Sequence, residues 1–261
     1  MVVCISCLQY SYKLLSNKLQ AKKMSYNRKN TIIKTIIFQV TTAIIIALIS
    51  LFLIYYVQGY RVDWKNMSLI QTGVMVLFTD PAPDRIVING EEQEVDNELA
   101  LSLTPGHYDV EISKEGFSTW QRSLNVGSEI VASEKDIILF RTNPETTTLL
   151  EQKNIDLINA PDTTLVEFAP QELHSNGHEI WVNSNLVTRF SKDATNVKWY
   201  PDMAHIMYQM DDEIRIIEAT GYNDTLLVKL SSDSLSRFAI GGKGKELYFT
   251  DNDLYFKAII K

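Results

Sequence analysis

Histidine side chains are the groups in this sequence that could most readily hold a metal ion or move protons. His174 and His178 are four residues apart, the spacing at which two ligands meet on one face of a helix. The surrounding run HSNGHEIW instead indicates a turn that enters a strand, and no third ligand is evident nearby. His205 alternates with apolar residues, which also indicates a strand. We therefore predict structural histidines and no metal site.

Two acidic runs, MDDE at 210–213 and TDNDLY at 250–255, could supply oxygen ligands to a calcium ion. Hairpin turns favour the same Asp and Asn residues, because these side chains bond to the nearby backbone. We expect turns at both places and no bound calcium.

Motifs of common enzyme classes are absent from the sequence. It contains no Gly-x-Ser-x-Gly nucleophile motif, no Gly-x4-Gly-Lys-Ser/Thr phosphate loop and no Gly-x-Gly-x-x-Gly fingerprint. The run GGKGKE at 241–246 precedes a strand rather than a helix, which argues against a phosphate site. We predict a non-catalytic protein without a cofactor.

The two cysteines, Cys4 and Cys7, are spaced as Cys-x-x-Cys, which supplies half of a structural zinc site. No βαβ pattern of a redox protein surrounds them. Met24 begins MSYNRKNTIIK, which is typical of the start of a membrane anchor. We hypothesise that translation starts at Met24 and that residues 1–23 are a start-site artefact; Met1 stays open, and the mass of the purified protein would decide.

Charge divides the sequence into two parts. Residues 1–34 hold seven basic side chains and no acidic one, whereas the rest has 18 Lys and Arg against 32 Asp and Glu, a balance of −14. Such segregation indicates two environments. Contact of the basic segment with anionic lipid is a simpler interpretation than nucleic-acid binding, which we do not predict.

An uncharged apolar run separates these two parts. Residues 36–57, IIFQVTTAIIIALISLFLIYYV, would form a helix about 33 Å long, enough to cross a hydrocarbon core of about 30 Å. A buried core helix or a cleaved signal peptide would have a shorter apolar run. We predict a retained transmembrane helix. Its predicted interface residues are Lys29 and Lys34 at one end and Tyr55, Tyr56, Tyr60 and Trp64 at the other.

The basic flank predicts the orientation, because Lys and Arg beside a span are retained on the cytoplasmic side. We expect a cytoplasmic tail at 1–35, a juxtamembrane segment at 58–72 and an extracytoplasmic remainder in a single-pass protein of the cell membrane.

Short alternating runs separated by turn residues predict an all-β module at 73–140. The turn signals are Asn89-Gly90, a favoured hairpin pair, Thr104–Gly106, and Lys114–Gly116. The order of these signals resembles the PEGA domain, a small β-sandwich of bacterial and archaeal cell surfaces. The motif residues are Pro81, Asn89, Gly90, Pro105, Gly106, Gly116, Phe117 and Trp120. The resemblance implies structural roles for them, a prokaryotic envelope protein and no catalytic residues; Pro83-Asp84 departs from the Gly-Ala that is usual in the family.

The rest of the sequence predicts a polar linker and entry segment at 141–176 and weakly repeated β-units at 177–261. Residues 177–190, 203–219 and 244–258 each combine an apolar strand, a turn rich in Asn or Asp, and a second strand. The run VKWYPDMAHIMYQ resembles TolB-like β-propellers, with Met203 where Gly is commoner. The segment is too short for a closed ring of four blades. We expect an open or incomplete propeller-like array; a ring completed by other subunits and a shortened chain remain alternatives. Unpaired β edges could support self-association.

These features together predict an all-β extracytoplasmic region, a β-sandwich plus propeller-like repeats, behind one transmembrane helix. The leading functional hypothesis is a non-catalytic protein that binds protein or glycan at the cell envelope; the alternative is a transmembrane sensor that signals to a cytoplasmic partner. Four aromatic residues are the candidates for a partner surface, although strand cores need the same residue types. They are Trp181, Trp199, Tyr248 and Tyr255.

Overall fold

The computed structural model describes residues 3–63, 67–159 and 172–261 and, in the first helix, the side chains of residues 17, 19 and 32–57. The chain folds into two compact units, Met1–Leu69 and Ile70–Lys261. Trp64 lies outside the described residues, as do the side chains of Cys4, Cys7 and Lys29.

The first unit is dominated by one long helix, α1 (Val3–Val57). Its segment Ile32–Val57 is long and apolar enough to span a membrane, and none of that segment is buried within the protein. Exposed apolar side chains all round a helix require an apolar surrounding such as lipid. The segment begins four residues before the predicted span and includes Lys34. Two short strands follow, β1 (Tyr60–Asp63) and β2 (Ser68–Gln71).

Residues 73–140 form two sheets packed face to face, which we call the sandwich. Its strands are β3 (Gly73–Asp80), β4 (Arg85–Ile88), β5 (Glu91–Gln93), β6 (Glu98–Leu103), β7 (Gly106–Ser113), β8 (Trp120–Val126) and β9 (Val131–Ile138). One sheet has the order β6-β3-β9 and the other β5-β4-β7-β8. All pairs are antiparallel except β3 with β9.

The sandwich core lies between these two sheets. Met75 and Leu77 of β3 pack against Ile86, Ile112 and Trp120 of the facing sheet. Because side chains alternate along a strand, each strand presents one apolar face to this core. Burial alternates along β3 accordingly.

The motif residues of the sandwich lie mainly at its turns. Asn89 and Gly90 both have positive φ, which is the conformation that a tight hairpin between β4 and β5 requires. Gly116 also has positive φ, in the turn between β7 and β8. Gly106 begins β7, immediately after Pro105. Pro81 follows β3 through a cis peptide bond, and Phe117 forms a bridge with Arg141.

Three further sheets and a helix form the rest of the second unit, which we call the sheet stack. Its elements are β10 (Thr146–Thr148), α2 (Gln152–Asn159), β11 (Leu173–Ser175), β12 (Glu179–Val182), β13 (Asn185–Arg189), β14 (Thr195–Trp199), β15 (His205–Met210), β16 (Glu213–Glu218), β17 (Thr225–Lys229), β18 (Phe238–Gly241), β19 (Glu246–Asp251) and β20 (Leu254–Ile259). The first sheet is β11-β12-β13, the middle sheet β14-β15-β16-β17 and the last sheet β10-β20-β19-β18.

The middle sheet is covered on both faces. Ile206 and Tyr208 of β15 pack towards Ile180 of the first sheet. Met207 packs towards Leu247 and Phe249 of the last sheet. Helix α2 covers the opposite face of the last sheet through Ile158, near Tyr248. The layers therefore follow one another as first sheet, middle sheet, last sheet and helix.

The predicted repeats correspond to three hairpins, β12–β13, β15–β16 and β19–β20. Their turns contain Asn183, Asp211, and the pair Asn252 and Asp253, all with positive φ. Short polar side chains tolerate this conformation better than other non-glycine residues. The acidic runs that could have suggested calcium thus lie at hairpin turns and at the ends of the adjoining strands.

The described part of the predicted linker and entry segment, 141–176, contains two elements that the sequence did not indicate. Strand β10 pairs with β20 and completes the last sheet, and α2 packs on that sheet through Ile158. A three-residue strand of threonines gives no alternating pattern, and an eight-residue helix is too short for strong periodicity. Because β10 covers β20, one of the edges that we expected to be open is paired.

Candidate functional site

Glu218, the last residue of β16, joins the sheet stack to the sandwich. Its side chain is buried, with 6% exposure. Oε1 accepts hydrogen bonds from Trp120 Nε1 at 2.5 Å and from Asn223 Nδ2 at 2.8 Å. Oε2 accepts from Arg122 Nη2 and from Thr220 Oγ1. Buried carboxylates need such partners, because an unpaired charge in the interior is strongly unfavourable.

Arg122 lies between two carboxylates at the same junction. Its Nη1 donates to Glu134 Oε2 at 2.8 Å, in addition to its bond with Glu218. The guanidinium lies 5.5 Å from the ring centroid of Trp120 and 5.1 Å from that of Tyr222. Its charge is therefore neutralised within the protein. Nε is buried and has no hydrogen-bond partner among the described residues.

His205 extends this polar cluster into the sheet stack. Its ring is 3% exposed, and Nδ1 lies 2.6 Å from Asp202 Oδ2. Burial alone would raise the pKa of Asp202, but hydrogen bonds from the His205 ring and from the backbone N–H groups of Ala204 and His205 outweigh burial and lower it. A cavity of about 70 Å³ separates His205 from Arg122 and Glu134. His205 is bonded to Asp202, and Arg122 is paired with Glu134 and Glu218, which suits a structural role.

A groove of about 470 Å³ lies beside this junction, on the outer face of the sheet β5-β4-β7-β8. The register places Glu111 between Val87 and Gln121, and Asp109 opposite Ser123. These five side chains point away from the sandwich core, because their neighbours in each strand point into it. They form the floor of the groove.

Tyr222, in the loop between β16 and β17, forms a wall of the groove. Its side chain is 57% exposed. Asn223 anchors this loop to the edge strand of the sandwich, since its Oδ1 accepts a hydrogen bond from Gln121 N at 3.0 Å. The groove therefore needs both parts of the second unit: the sandwich supplies its floor and the sheet stack its wall.

The groove is lined by several polar groups. On its floor, Gln121 Nε2 donates to Glu111 Oε2 at 3.0 Å, and the other polar groups there are the carboxylate of Asp109 and the hydroxyl of Ser123. Carboxylates, an amide, a hydroxyl and an exposed tyrosine ring are typical of sites that hold polar ligands.

The four aromatic candidates for a partner surface do not form one surface. Tyr248 is buried beneath α2, donates a hydrogen bond to Glu246 and has its pKa raised to about 12 by burial. Tyr255 also packs there, and its hydroxyl accepts from Asn159 Nδ2 at 3.2 Å. Trp199 packs between the first sheet and the middle sheet. Its Nε1 is buried and has no hydrogen-bond partner among the described residues. These three large side chains therefore pack in or against the hydrophobic clusters between layers.

Trp181 and the remaining histidines occupy the first sheet and its turns. Trp181 is half-buried and donates to Glu179 Oε2 at 3.1 Å, and His174 lies opposite it in β11. His178 is exposed and lies 3.5 Å from Asp193. His107 is an exposed residue of β7. In the part of the chain that the structure describes, no three His, Cys, Asp or Glu side chains are placed to hold a metal ion.

Aromatic residues at the end of α1 pack on one another within the first unit. The rings of Tyr55 and Tyr60 lie 5.5 Å apart, edge to face. The Arg61 guanidinium lies 4.0 Å from the ring centroid of Tyr56. Such amphipathic side chains suit a boundary between lipid and water.

Sequence reasoning singled out Gly90 and Trp120 as motif residues but missed most of the other residues that build the groove and the junction. Glu218 had one signal, a carboxylate directly after the apolar pair Ile216 and Ile217, and Arg122 had none. Tyr222 and Glu111 look like ordinary loop and strand residues. Their importance depends on contacts between residues about 100 positions apart.

Neither a protein-family model nor a curated protein matches this chain. The resemblances based on sequence motifs therefore stay predictions. The function has to be inferred from the geometry of the groove and from the apolar helix.

Proposed function

We propose that this protein is anchored in the cell membrane by α1 and binds an envelope protein or glycan through its β region without catalysing a reaction. The groove is the observation that carries this proposal, because it is large enough for a ligand and contains Tyr222 and several polar groups. Its floor and its wall come from different parts of the second unit, and the Glu218 junction holds them in a fixed arrangement.

The proposed orientation has its N-terminus in the cytoplasm and the β region outside. The seven basic residues before the apolar segment and the excess of acidic residues after it support this orientation. Protease added to intact cells should digest the β region while a cytoplasmic control protein survives. Protection that persists after the outer layers are removed would show the reverse orientation.

The fold supports a relationship of the sandwich to PEGA domains. It has two packed sheets, with Asn89, Gly90 and Gly116 in positive-φ turns. The sheet stack supports a propeller-like interpretation, because three antiparallel sheets follow one another in the chain and β10 completes the last of them. Both relationships are compatible with a display role at the cell surface.

Site-specific photo-crosslinking in living cells tests the binding function. A photoreactive residue at Ser123, in the groove, should give adducts with a partner, whereas one at Ser133 should not. Both serines are exposed strand residues of the sandwich, but Ser133 lies in the other sheet. Equal labelling at the two positions, or no adduct at Ser123, would argue against the groove as a binding site.

A second candidate function is signalling, which the continuity of α1 favours. This helix runs without a break from Val3 to Val57 and so connects the basic segment to the apolar segment. A sensor would need residues 3–30 to contact a cytoplasmic partner. Deletion of these residues should then abolish the cellular response to the ligand while binding in the groove persists; an unchanged response would exclude signalling through this segment.

A further inference from the structure

The ligand class of the groove can be inferred from its charge, its apolar floor and the strand at its border. Glu92, Val87, Glu111 and Gln121 lie side by side across four strands on the outer face of the sheet. Asp109 lies in the neighbouring row, two residues from Glu111. The floor therefore combines the apolar side chain of Val87 with the carboxylates of Asp109 and Glu111, and Glu92 lies beside it.

Asp109 and Glu111 have no ion-pair partner among the residues that the structure describes. Arg85 lies 3.6 Å from Glu92. No lysine or arginine in the described ranges forms an ion pair with Asp109 or Glu111. Arg122 borders the groove, but its charge is already paired with Glu134 and Glu218. The groove thus favours a cationic ligand by charge complementarity.

The wall of the groove is also suited to cations. The ring of Tyr222 already contacts the Arg122 guanidinium, and more than half of the side chain stays exposed. An aromatic face attracts ammonium and guanidinium groups through its quadrupole. A lysine or arginine side chain in the groove would therefore meet an aromatic ring as well as carboxylates.

Strand β8 favours a peptide over other cations. It is an edge strand that pairs with β7 alone among the described strands. The Gln121 N–H points outward, where it meets the Asn223 side chain. Because backbone groups alternate along a strand, those of Ser123 and Asn125 also point outward. An extended segment can add to such an edge through main-chain hydrogen bonds.

We infer that the groove binds an extended, lysine- or arginine-containing segment of a partner protein, which pairs with the outer edge of β8 at Ser123 and Asn125 and directs its cationic side chains towards Asp109 and Glu111. This inference rests on the proposed binding function and specifies its ligand. Main-chain hydrogen bonds with β8 would fix the position of the partner segment along the strand. The carboxylates would select a segment with cationic side chains.

Calorimetric titration of the full chain in a neutral detergent tests this inference. The probe is the peptide acetyl-Lys-Val-Lys-Val-Lys-amide, and the peptide with Glu in place of Lys is its matched control. The lysine peptide should bind and the glutamate peptide should not. Glu111→Gln and Asp109→Asn should each weaken binding by about three- to fivefold, as expected for exposed charge pairs. Ser123→Pro, which removes an outward N–H, should weaken binding at least as much.

Glu145→Gln is the control variant, because Glu145 is exposed and lies outside the groove. It should leave the affinity unchanged. Equal weakening by Glu145→Gln and Glu111→Gln would show non-specific attraction and overturn the inference. Absence of lysine-peptide binding would also overturn it.

Two further outcomes separate this inference from the proposed function. A neutral chitooligosaccharide that binds in place of the peptide, and is weakened by Tyr222→Ala, would overturn the cationic ligand but leave the binding function intact. If the partner crosslinked at Ser123 is a second copy of this chain, the groove mediates self-association and the inference of a separate partner protein is overturned. If neither peptide, saccharide nor crosslinked partner is found, the inference and the proposed function both fail.

Discussion

Strand β3 of the sandwich and strand β15 of the sheet stack have similar lengths but different burial. Buried and half-exposed residues alternate along β3, whereas five consecutive residues of β15, 205–209, are buried. The sandwich has two sheets and therefore one core between them. The middle sheet of the stack has a neighbour on each face, so both faces of its strands are packed.

This difference determines where polar side chains must find partners. In the stack, buried Gln209 donates through Nε2 to the carbonyls of Asp211 and Ser234 and accepts from Ser236 N. His205 is similarly bonded to Asp202. A strand buried on both faces cannot direct a polar residue to water, so each one requires a specific partner. The sandwich places most polar residues on its outer face, where they are free to build the groove.

The largest effect is expected at Glu218, where the two regions join. Glu218→Ala should destabilise the protein by about 3–5 kcal/mol, since it leaves Trp120 Nε1 and part of the Arg122 charge without a buried partner. It should also split thermal unfolding into separate transitions of the sandwich and the stack, measured by calorimetry. Glu213→Ala, in the same strand but at a partly exposed ion pair, should cost less than about 1 kcal/mol. Equal costs would disprove the special role of the junction.

Truncation of one buried methionine in each region allows a direct comparison of the two cores. Met75 in the sandwich and Met207 in the middle sheet are both 0% exposed. Truncation of either to Ala should cost about 2–5 kcal/mol, because it removes buried methylenes and leaves a cavity. The two residues belong to different cores, so the double variant should be additive within about 0.5 kcal/mol. Denaturant titration measures this, and strong non-additivity would mean that the cores are coupled.

The hydrogen-bonded carboxylate of Asp202 in the stack predicts a dependence of stability on pH. The folded-state pKa of Asp202 is lowered below its usual value of 3.8. A lowered carboxyl pKa contributes stability above the unfolded pKa, and this contribution is lost as pH falls through the folded value. Asp202→Asn should cost about 1–2 kcal/mol at pH 7, and the difference should shrink below about pH 4.

Thermal melts of the wild type and of Asp202→Asn between pH 7 and pH 2 measure this difference. Asp233→Asn is a control at an exposed loop position of the stack and should leave the melting temperature unchanged at every pH. If the difference in melting temperature between the wild type and Asp202→Asn stays constant at all pH values, the lowered pKa of Asp202 is contradicted.

The smallest effects concern equivalent hairpin turns in the two regions. Gly90 has positive φ and space for a Cβ atom, so Gly90→Ala should cost about 1 kcal/mol through backbone conformation alone. Asp253 has positive φ in the last hairpin of the stack, so Asp253→Gly should stabilise by about 0.5 kcal/mol. Changes of the same sign, measured by denaturant titration, would show that the two turns are not equivalent.

Predictions from the sequence succeeded where neighbouring residues decide the structure. The hairpin turn at Asn89 and Gly90 and the three repeated hairpins of the stack lie where the turn residues indicated. The sequence did not indicate β10 and α2, and it left open whether Tyr248 and Tyr255 belong to a partner surface or to a core; the structure packs both under α2. Aromatic side chains in a strand do not reveal which face another element covers.

The sequence by itself determined the apolar helix segment, the β character of the remainder and the positions of most turns, because hydropathy, alternation and backbone preference act within a few residues. Only the tertiary structure decided that Glu218 contacts Trp120 and Arg122. It also decided that Tyr222 lines the same groove as Asp109 and Glu111. Burial and ion pairing depend on residues that are distant in the chain and become neighbours through folding. The groove exists for that reason.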